Sequence, residues 1–585
     1  MSRRRWTPRS ALLGCAALAL FATAWQQPIE AEATELPAGA SITPKDSGNP
    51  TTDHPSALRS SDRVRGSRRR GIRVRKIKLP AGVSIIPNLN SVGFTTNDKR
   101  IYTNVEIEGV EGRHIATLRR DGSRFRCLTC DDLASPDLDL RQPAMTPDGR
   151  GFAVRSGNDV QRHSIVECTP SVLKCESAEL VPVILPLGAV PLLRNARLEV
   201  APDGKHALFS HVRASGVIVP ILGQLVREPD RYTVTKARAL AGFRPTLRGP
   251  KNSLKLAEGN WGEAKGFTDG GKSLLYYTTI DSLNFDSVKL DLATGEITRL
   301  TSDPEYDEDV DVFEGRRGRG KRAHRVRARV AQASFRNHER LRIFSLVPRP
   351  PVVDAALRGP IALLRNQAGR RFFDMWVLPV GQAARDSKIA KQIKTKNKPD
   401  DRNFNSRGQN RWNGDGTEFV FTEEDANALG TARLMLAKFR GRKPARPIRM
   451  VPTPKPTWAP PVSTVLSPDE HRTGTMRGAE SGRAEIVFDL KLAPPGAVDI
   501  EVEYVGYSDD GCSFLNGTET ATVDGFSWTW TADLKVTGCH RGRLTADTAG
   551  TALIPATTAT GTAVAKYDGA RAEGLPAPPF GSSAP

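Results

Sequence analysis

Thr146-Pro147-Asp148-Gly149-Arg150 runs straight into Gly151-Phe152-Ala153-Val154, and Ala201-Pro202-Asp203-Gly204-Lys205 runs into His206-Ala207-Leu208-Phe209. In each stretch proline presets φ, the aspartate side chain bonds back to the turn backbone and glycine supplies a positive φ, so a corner joins two antiparallel strands. The unit recurs: Thr96-Asn97-Asp98-Lys99 precedes Arg100-Ile101-Tyr102, and Thr268-Asp269-Gly270-Gly271-Lys272 precedes Ser273-Leu274-Leu275-Tyr276-Tyr277. Asn413-Gly414-Asp415-Gly416-Thr417 likewise precedes Glu418-Phe419-Val420-Phe421. The first three copies along the chain are about fifty residues apart, a spacing that marks a repeat architecture. A second turn closes some units, as in Arg120-Asp121-Gly122-Ser123 before Cys127-Leu128-Thr129 and Leu292-Ala293-Thr294-Gly295-Glu296 before Arg299-Leu300-Thr301. Two hairpins per unit make four strands, the content of one β-propeller blade.

The succession of Pro-Asp-Gly-Lys, apolar strand, second turn and Leu-Thr resembles the TolB-type, WD40-like propeller repeat of exported bacterial proteins. The resemblance covers roughly residues 83–450, with units starting near 87, 139, 195, 259, 306 and 404. It implies six blades, with a seventh left open by the irregular stretch after 306. The expected fold class is all-β: a propeller over 79–450, a Pro-rich linker over 451–480, a small β-sandwich over 481–570 and a disordered tail over 571–585. The sandwich is read from runs such as Ala484 to Leu492, Val498 to Val505 and Phe526 to Thr531, which alternate or stay apolar over strand lengths.

Composition supports frequent turns and few long helices, with 51 Gly and 42 Pro among 585 residues. The net charge of +20 is local: residues 1–10 carry +4, residues 59–78 carry +9 and residues 313–334 carry +7, leaving the rest balanced. That distribution argues against a basic groove over a folded face, and so against nucleic acid as the partner. It points instead to basic flexible segments. Residues 34–78 read as a disordered basic linker; residues 313–334 read either as a basic loop or as a local reading-frame error.

Arg3 to Arg5, an apolar run from Ala11 to Trp25 and the small-x-small string Ala31-Glu32-Ala33 read as a signal peptide over 1–33. The run of fifteen residues falls short of the ~20 that span a bilayer. An uncleaved anchor is the alternative. Export permits disulfides, and with Cys15 inside the apolar run, six cysteines remain: Cys127, Cys130, Cys168, Cys175, Cys512 and Cys539. Local pairing is the simplest of fifteen connectivities, with Cys168 and Cys175 stapling a hairpin and Cys512 and Cys539 clamping two strands. Cys127-Leu-Thr-Cys130 has redox spacing but no βαβ context, and no second pair completes a zinc site.

No catalytic set emerges. Propellers of the prolyl oligopeptidase relatives accompany a peptidase domain, but no G-x-S-x-G nucleophile elbow occurs here, and Gly506-Tyr507-Ser508-Asp509-Asp510-Gly511 has the wrong spacing. The nine histidines form no H-x-H or H-E-x-x-H pair, which disfavours an oligogalacturonate-lyase-like metal site. Asp307, Asp309 and Asp311, within the acidic string from Asp303, are expected near the propeller axis, as structural hydrogen-bonding groups or as oxygen ligands to calcium. Trp261 and Trp412 each precede a turn, and form either an aromatic platform at the funnel mouth or packing between blades.

The resulting expectation is a monomeric, secreted or extracytoplasmic, non-catalytic protein without cofactor or metal. It binds a protein, peptide or glycan of the cell envelope through loops at one mouth of the propeller. The alternative is a secreted carbohydrate-active lyase or hydrolase using carboxylates at that mouth. A third reading has the basic linker gripping anionic wall polymers.

Overall fold

The computed structural model describes residues 71–86, 91–156, 162–186, 194–212, 218–240, 245–246, 255–256, 262–279, 285–301, 306–317, 324–335, 346–350, 352–354, 356–357, 373–379, 391–392, 404–425, 432–440, 442–464, 470–491, 497–525, 527–551 and 558–574. For some of these, including 306–309, 314–317, 324–335 and 405–409, only the backbone is described. The expected signal peptide and most of the expected basic linker lie outside the described residues. Among those described, no helix is long and apolar enough to cross a membrane.

Four of the five recurring corners share one geometry, and the one at Asp269–Gly271 is a 3-10 turn instead. Thr146 Oγ1 donates to Asp148 Oδ1 at 2.6 Å, the same oxygen accepts the Arg150 N–H at 3.0 Å, and the Gly149 N–H returns to the Thr146 carbonyl at 2.9 Å. Gly149 sits at φ 70°, in the left-handed region that glycine enters without steric cost. The copy before Arg100 begins one residue earlier than the sequence suggests: Asn97 Oδ1 accepts from Thr95 Oγ1 and from the Lys99 N–H, each at 3.0 Å, and Asp98 takes the glycine position at φ 58°. Aspartate and asparagine tolerate that conformation better than other non-glycine residues.

Each corner joins the first two strands of a meander. After β1 (Ile72–Lys76) and β2 (Val83–Ile85), the first meander is β3 (Val92–Phe94), β4 (Ile101–Ile107), β5 (Val110–Leu118) and β6 (Arg126–Cys127). The second is β7 (Arg141–Met145), β8 (Gly151–Arg155), β9 (His163–Thr169) and β10 (Ser177–Ile184); the third is β11 (Arg194–Val200), β12 (His206–Val212), β13 (Ile218–Arg227) and β14 (Tyr232–Ala239). A minor hairpin, β15 (Pro245–Thr246) and β16 (Lys255–Leu256), precedes the fourth: β17 (Gly262–Thr268), β18 (Ser273–Thr279), β19 (Phe285–Asp291) and β20 (Ile297–Arg299). The fifth is β21 (Tyr306–Arg317), β22 (His324–Phe335), β23 (Phe373–Pro379) and β24 (Lys391–Gln392). The sixth is β25 (Phe404–Trp412), β26 (Glu418–Asp425) and β27 (Ala432–Phe439), completed by β1. All-β meanders of this kind fit the blades of a propeller.

The first strands of the meanders touch in series, β3 to β7, β7 to β11, β11 to β17, β17 to β21 and β21 to β25, and β25 then touches β3. β1 pairs antiparallel with β27 from Ile72↔Phe439 to Lys76↔Met435, so the first described strand completes the last sheet. Two basic stretches thus have a different fate from the one expected. Residues 72–76 are a strand, with Arg73 exposed and Ile72 and Val74 half-buried, because basic residues suit the solvent side of an edge strand. The Arg-rich stretch after 313 is not a loop either: its backbone forms much of the β21–β22 ladder, as far as Arg317↔His324.

The Pro-rich stretch after 450 is a docked strap. β28 (Arg446–Pro447) pairs with β21, the Val451 N–H reaches the Gly270 carbonyl at 3.0 Å, and the Thr453 N–H reaches Asp203 Oδ2 at 3.0 Å. Farther on, Trp458 Nε1 donates to the Leu292 carbonyl at 3.0 Å. A segment rich in proline has few backbone donors to satisfy; here those of Val451 and Thr453 bond to the corners of the fourth and third sheets, and those of Thr457 and Ala459 bond within the strap.

The C-terminal region is one sheet in strict chain order: β29 (Glu470–Arg477), β30 (Ser481–Lys491), β31 (Ala497–Ser508), β32 (Ser513–Asp524), β33 (Ser527–Gly538), β34 (Gly542–Thr551), β35 (Thr558–Tyr567) and β36 (Ala570–Gly574). This corrects the two-sheet sandwich and the tail boundary. Strict alternation along β33, with Trp528, Trp530, Ala532, Leu534 and Val536 buried, gives the sheet one apolar face. Among the described residues no second sheet covers that face, so the eight strands curl on it like a nearly closed barrel.

Candidate functional site

The first strands of the meanders are not regular. Register shifts interrupt β7 at Arg141/Ala144, β11 at Ala196/Leu198, β17 at Ala264/Gly266, β21 at Glu308/Asp311 and β25 at Arg407/Arg411. A bulge places an extra residue in a strand and re-aims its side chains. Charged residues beside four of these bulges converge where the sheets meet.

Arg411 is the hub. Its Nη2 donates to Glu199 Oε2 at 2.9 Å, and its Nη1 lies 3.4 Å from the Lys265 carbonyl and 3.5 Å from Asp311 Oδ1. One guanidinium on the sixth sheet thereby spans the third, fourth and fifth. Arg197 Nη2 also pairs with Glu199 Oε2 at 2.9 Å, from a left-handed backbone at φ 46°. Lys265 Nζ pairs with Glu263 Oε2 at 3.1 Å and lies 4.7 Å from the centre of the Tyr277 ring, whose hydroxyl donates to the same Glu263 oxygen at 3.0 Å. Gly266 makes the approach feasible: a Cβ there would stand 2.9 Å from Glu199 Oε1, and its φ of 140° disfavours any side chain.

Burial sets the electrostatics. It pushes the Asp311 carboxyl up, opposed by Arg411 and by the Trp412 N–H, which donates to Asp311 Oδ2 at 2.9 Å. Burial alone would depress the Arg411 guanidinium; Glu199 and Asp311 outweigh it and hold Arg411 charged. Three acids, Glu199, Glu263 and Asp311, thus face three cations, Arg197, Lys265 and Arg411. Carboxylates paired with cations in this way brace the sheets against one another.

Of the residues singled out in the sequence, Asp311 belongs to this cluster. Asp307 and Asp309 lie on β21, the first before its register shift and the second within it, with side chains outside the described residues. Trp261 lies outside them altogether. Trp412 is packing, not platform: it is 8% exposed, with Phe419 at 5.2 Å, Phe439 at 4.9 Å and the Arg442 guanidinium at 4.9 Å from its ring. It directly follows Arg411 on the strand, so its side chain turns into the sheet interface as the arginine turns to the axis. Arg411, Glu199, Arg197 and Lys265 carried no signal in the sequence beyond their place before a corner.

The six cysteines pair as Cys127–Cys130, Cys168–Cys175 and Cys512–Cys539, with Cα–Cα separations of 5.8, 4.9 and 5.4 Å. His114 lies beside the first pair, close enough for a three-ligand metal group. Its ring is already engaged, however, with Nδ1 3.0 Å from Thr129 Oγ1 and Nε2 2.8 Å from the Glu111 carbonyl oxygen.

A cavity of about 690 Å3 opens where the sixth sheet meets the first. Arg120, Lys438, Arg440 and Arg442 line it against Asp415 and Glu418. Arg120 is paired with Glu418, Lys438 stands 3.6 Å from that carboxylate, and Arg440 is exposed.

No family model matches the chain, and no curated protein matches it. Solved structures similar to it include a putative TolB from Agrobacterium tumefaciens, at 16% identity and TM-score 0.32, over 55% of this chain and 82% of that one. Oligogalacturonate lyase from Vibrio parahaemolyticus aligns at 11% identity and TM-score 0.34, over 62% of this chain and 93% of that one. Prolyl oligopeptidase B from Galerina marginata aligns at 10% identity and TM-score 0.27 over 72% of this chain, which spans 47% of that enzyme's length. The propeller assignment rests on the strand pairing and the closed series of first strands.

Proposed function

We propose that the chain is an exported, non-catalytic binding protein of the cell envelope, built on a six-bladed propeller, with a peptide, protein or glycan as ligand. The observation that carries this reading is the pairing of the described carboxylates Glu199, Glu263 and Asp311 with Arg197, Lys265 and Arg411. The cysteine pairs and the apolar N-terminal run support export.

The cavity at the junction of the sixth and first sheets is the proposed ligand surface. Its cations outnumber its acids by four to two, and Arg440 and Lys438 are exposed, so an acidic peptide or a uronate-bearing glycan suits it. The test incubates the exported protein with glycan and acidic-peptide arrays, and with polygalacturonate and prolyl chromogenic substrates. Retention that falls at least tenfold in the Lys438→Glu/Arg440→Glu variant, without turnover, is expected. Turnover abolished by Asp311→Asn in a folded variant would favour the lyase or hydrolase reading instead.

A further inference from the structure

The loop between β22 and β23 does more than join a hairpin. Between β22 and β23 in the chain, the described residues 346–350, 352–354 and 356–357 pack against the apolar face of the C-terminal sheet, where Val347, Val352, Val353, Ala356 and Leu357 join its core. A hairpin connection needs only a few residues, so this insertion is not required to pair the two strands.

The depth of the contact is legible from the register. Glu519 pairs with Ala532, the third of the five buried residues along β33, so its carboxylate stands midway along the inner face. Arg349 reaches that point: its Nη2 lies 3.0 Å from Glu519 Oε1 and 2.8 Å from Asp354 Oδ1. Trp530 Nε1 donates to Glu519 Oε1 at 2.9 Å, and the Tyr504 hydroxyl donates to the Pro350 carbonyl at 3.4 Å. Side chain and main chain of the segment are thus both recognised from the sheet.

The sheet also leaves room. Following the register from Glu519, the row continues as Ala532, Ala546, Ala563 and Gly574, small residues on four successive strands. A carboxylate fully buried on a largely apolar face is costly without a cation, and Glu519 Oε2 still has no hydrogen-bond partner. We propose that this inner face is a peptide-binding site for a turn-forming segment bearing an arginine between prolines, and that residues 346–357 are its intramolecular occupant. Prolines limit the conformations such a segment gives up on binding, and the guanidinium supplies the counter-charge. Occupancy couples the fifth propeller sheet to the C-terminal sheet.

The test uses the full chain with residues 346–357 replaced by Gly and Ser over the same length, and a labelled synthetic peptide of residues 346–357. The emptied chain is expected to bind the peptide, and to bind its Arg349→Ala version at least tenfold more weakly, while the wild-type chain, already occupied, retains little. Should the emptied chain fail to fold alone, peptide added during refolding is expected to restore the native β circular dichroism and the Arg349→Ala peptide is not. Neither binding nor rescue, or either one indifferent to the arginine, would overturn the proposal.

Discussion

Arg349 and Glu519 meet at 3.0 Å with neither side chain more than 1% exposed, one carried by the insertion of the fifth propeller sheet and the other by the middle of the C-terminal sheet. Asp354 and Glu519 share the single guanidinium, so the buried group carries one acid in excess. Burial depresses a guanidinium, but Asp354 and Glu519 more than reverse this and keep Arg349 charged.

Removing the cation is therefore expected to be far costlier than removing the surplus acid. Arg349→Met leaves two buried carboxyls without a counter-charge, a change of about 3–5 kcal/mol by analogy with broken buried pairs. Urea unfolding followed by the fluorescence of Trp528 and Trp530, both buried on the same face, reads the loss. A change below about 1 kcal/mol would show that the guanidinium is not buried there.

Glu519 gives the pH dependence. Burial pushes its carboxyl up to about 7, with Asp354 adding to the rise and Arg349 and the Trp530 N–H opposing it. The folded value exceeds the ordinary one of 4.5, so the folded state holds the proton more tightly. Its contribution to stability is full below about pH 4.5 and is lost as pH rises through about 7. Thermal unfolding between pH 5 and 8 is expected to show this decline in the wild type and a flatter profile in Glu519→Gln. Parallel profiles in the two chains would assign the slope to other groups.

How much of this was legible differs by element. Each corner announces itself locally, since proline, aspartate and glycine act within four residues, and the expected unit starts near 139, 195, 306 and 404 fall within two residues of β7, β11, β21 and β25. β1 was hidden because its partner, β27, lies at the other end of the propeller and the strand itself reads as a charge run. The C-terminal strands were visible as alternation, but alternation fixes which face is buried and not whether the sheet splits in two or curls. The axial cluster was mostly invisible. Asp311 stood out within an acidic string, whereas Arg411, Glu199 and Lys265 become partners only through bulges on three different strands.

Gly266 is the position where that cluster is most exposed to test. A Cβ would lie 2.9 Å from Glu199 Oε1 and 3.2 Å from Arg411 Nη1, on a backbone at φ 140°. Gly266→Ala is expected to cost about 1–3 kcal/mol, from strain and the displaced ion pair together. Differential scanning calorimetry checks this, and an unchanged melting temperature would mean that Glu199 and Arg411 do not crowd this residue.

The whole axial site exists only if the sheets close on themselves, because Arg411 of the sixth must reach Glu199 of the third. The register of β1 against β27 offers the most direct measurement: Arg73 lies opposite Lys438, and both are exposed. Directly opposed residues of antiparallel strands sit about 4.5–5.5 Å apart at Cα, within disulfide range. In the Arg73→Cys/Lys438→Cys chain, the new pair is expected to oxidise fully and to resist alkylation until reduced, as read by intact mass. Two freely alkylated cysteines in a chain that retains its native β circular dichroism would contradict a ring closed by its first strand.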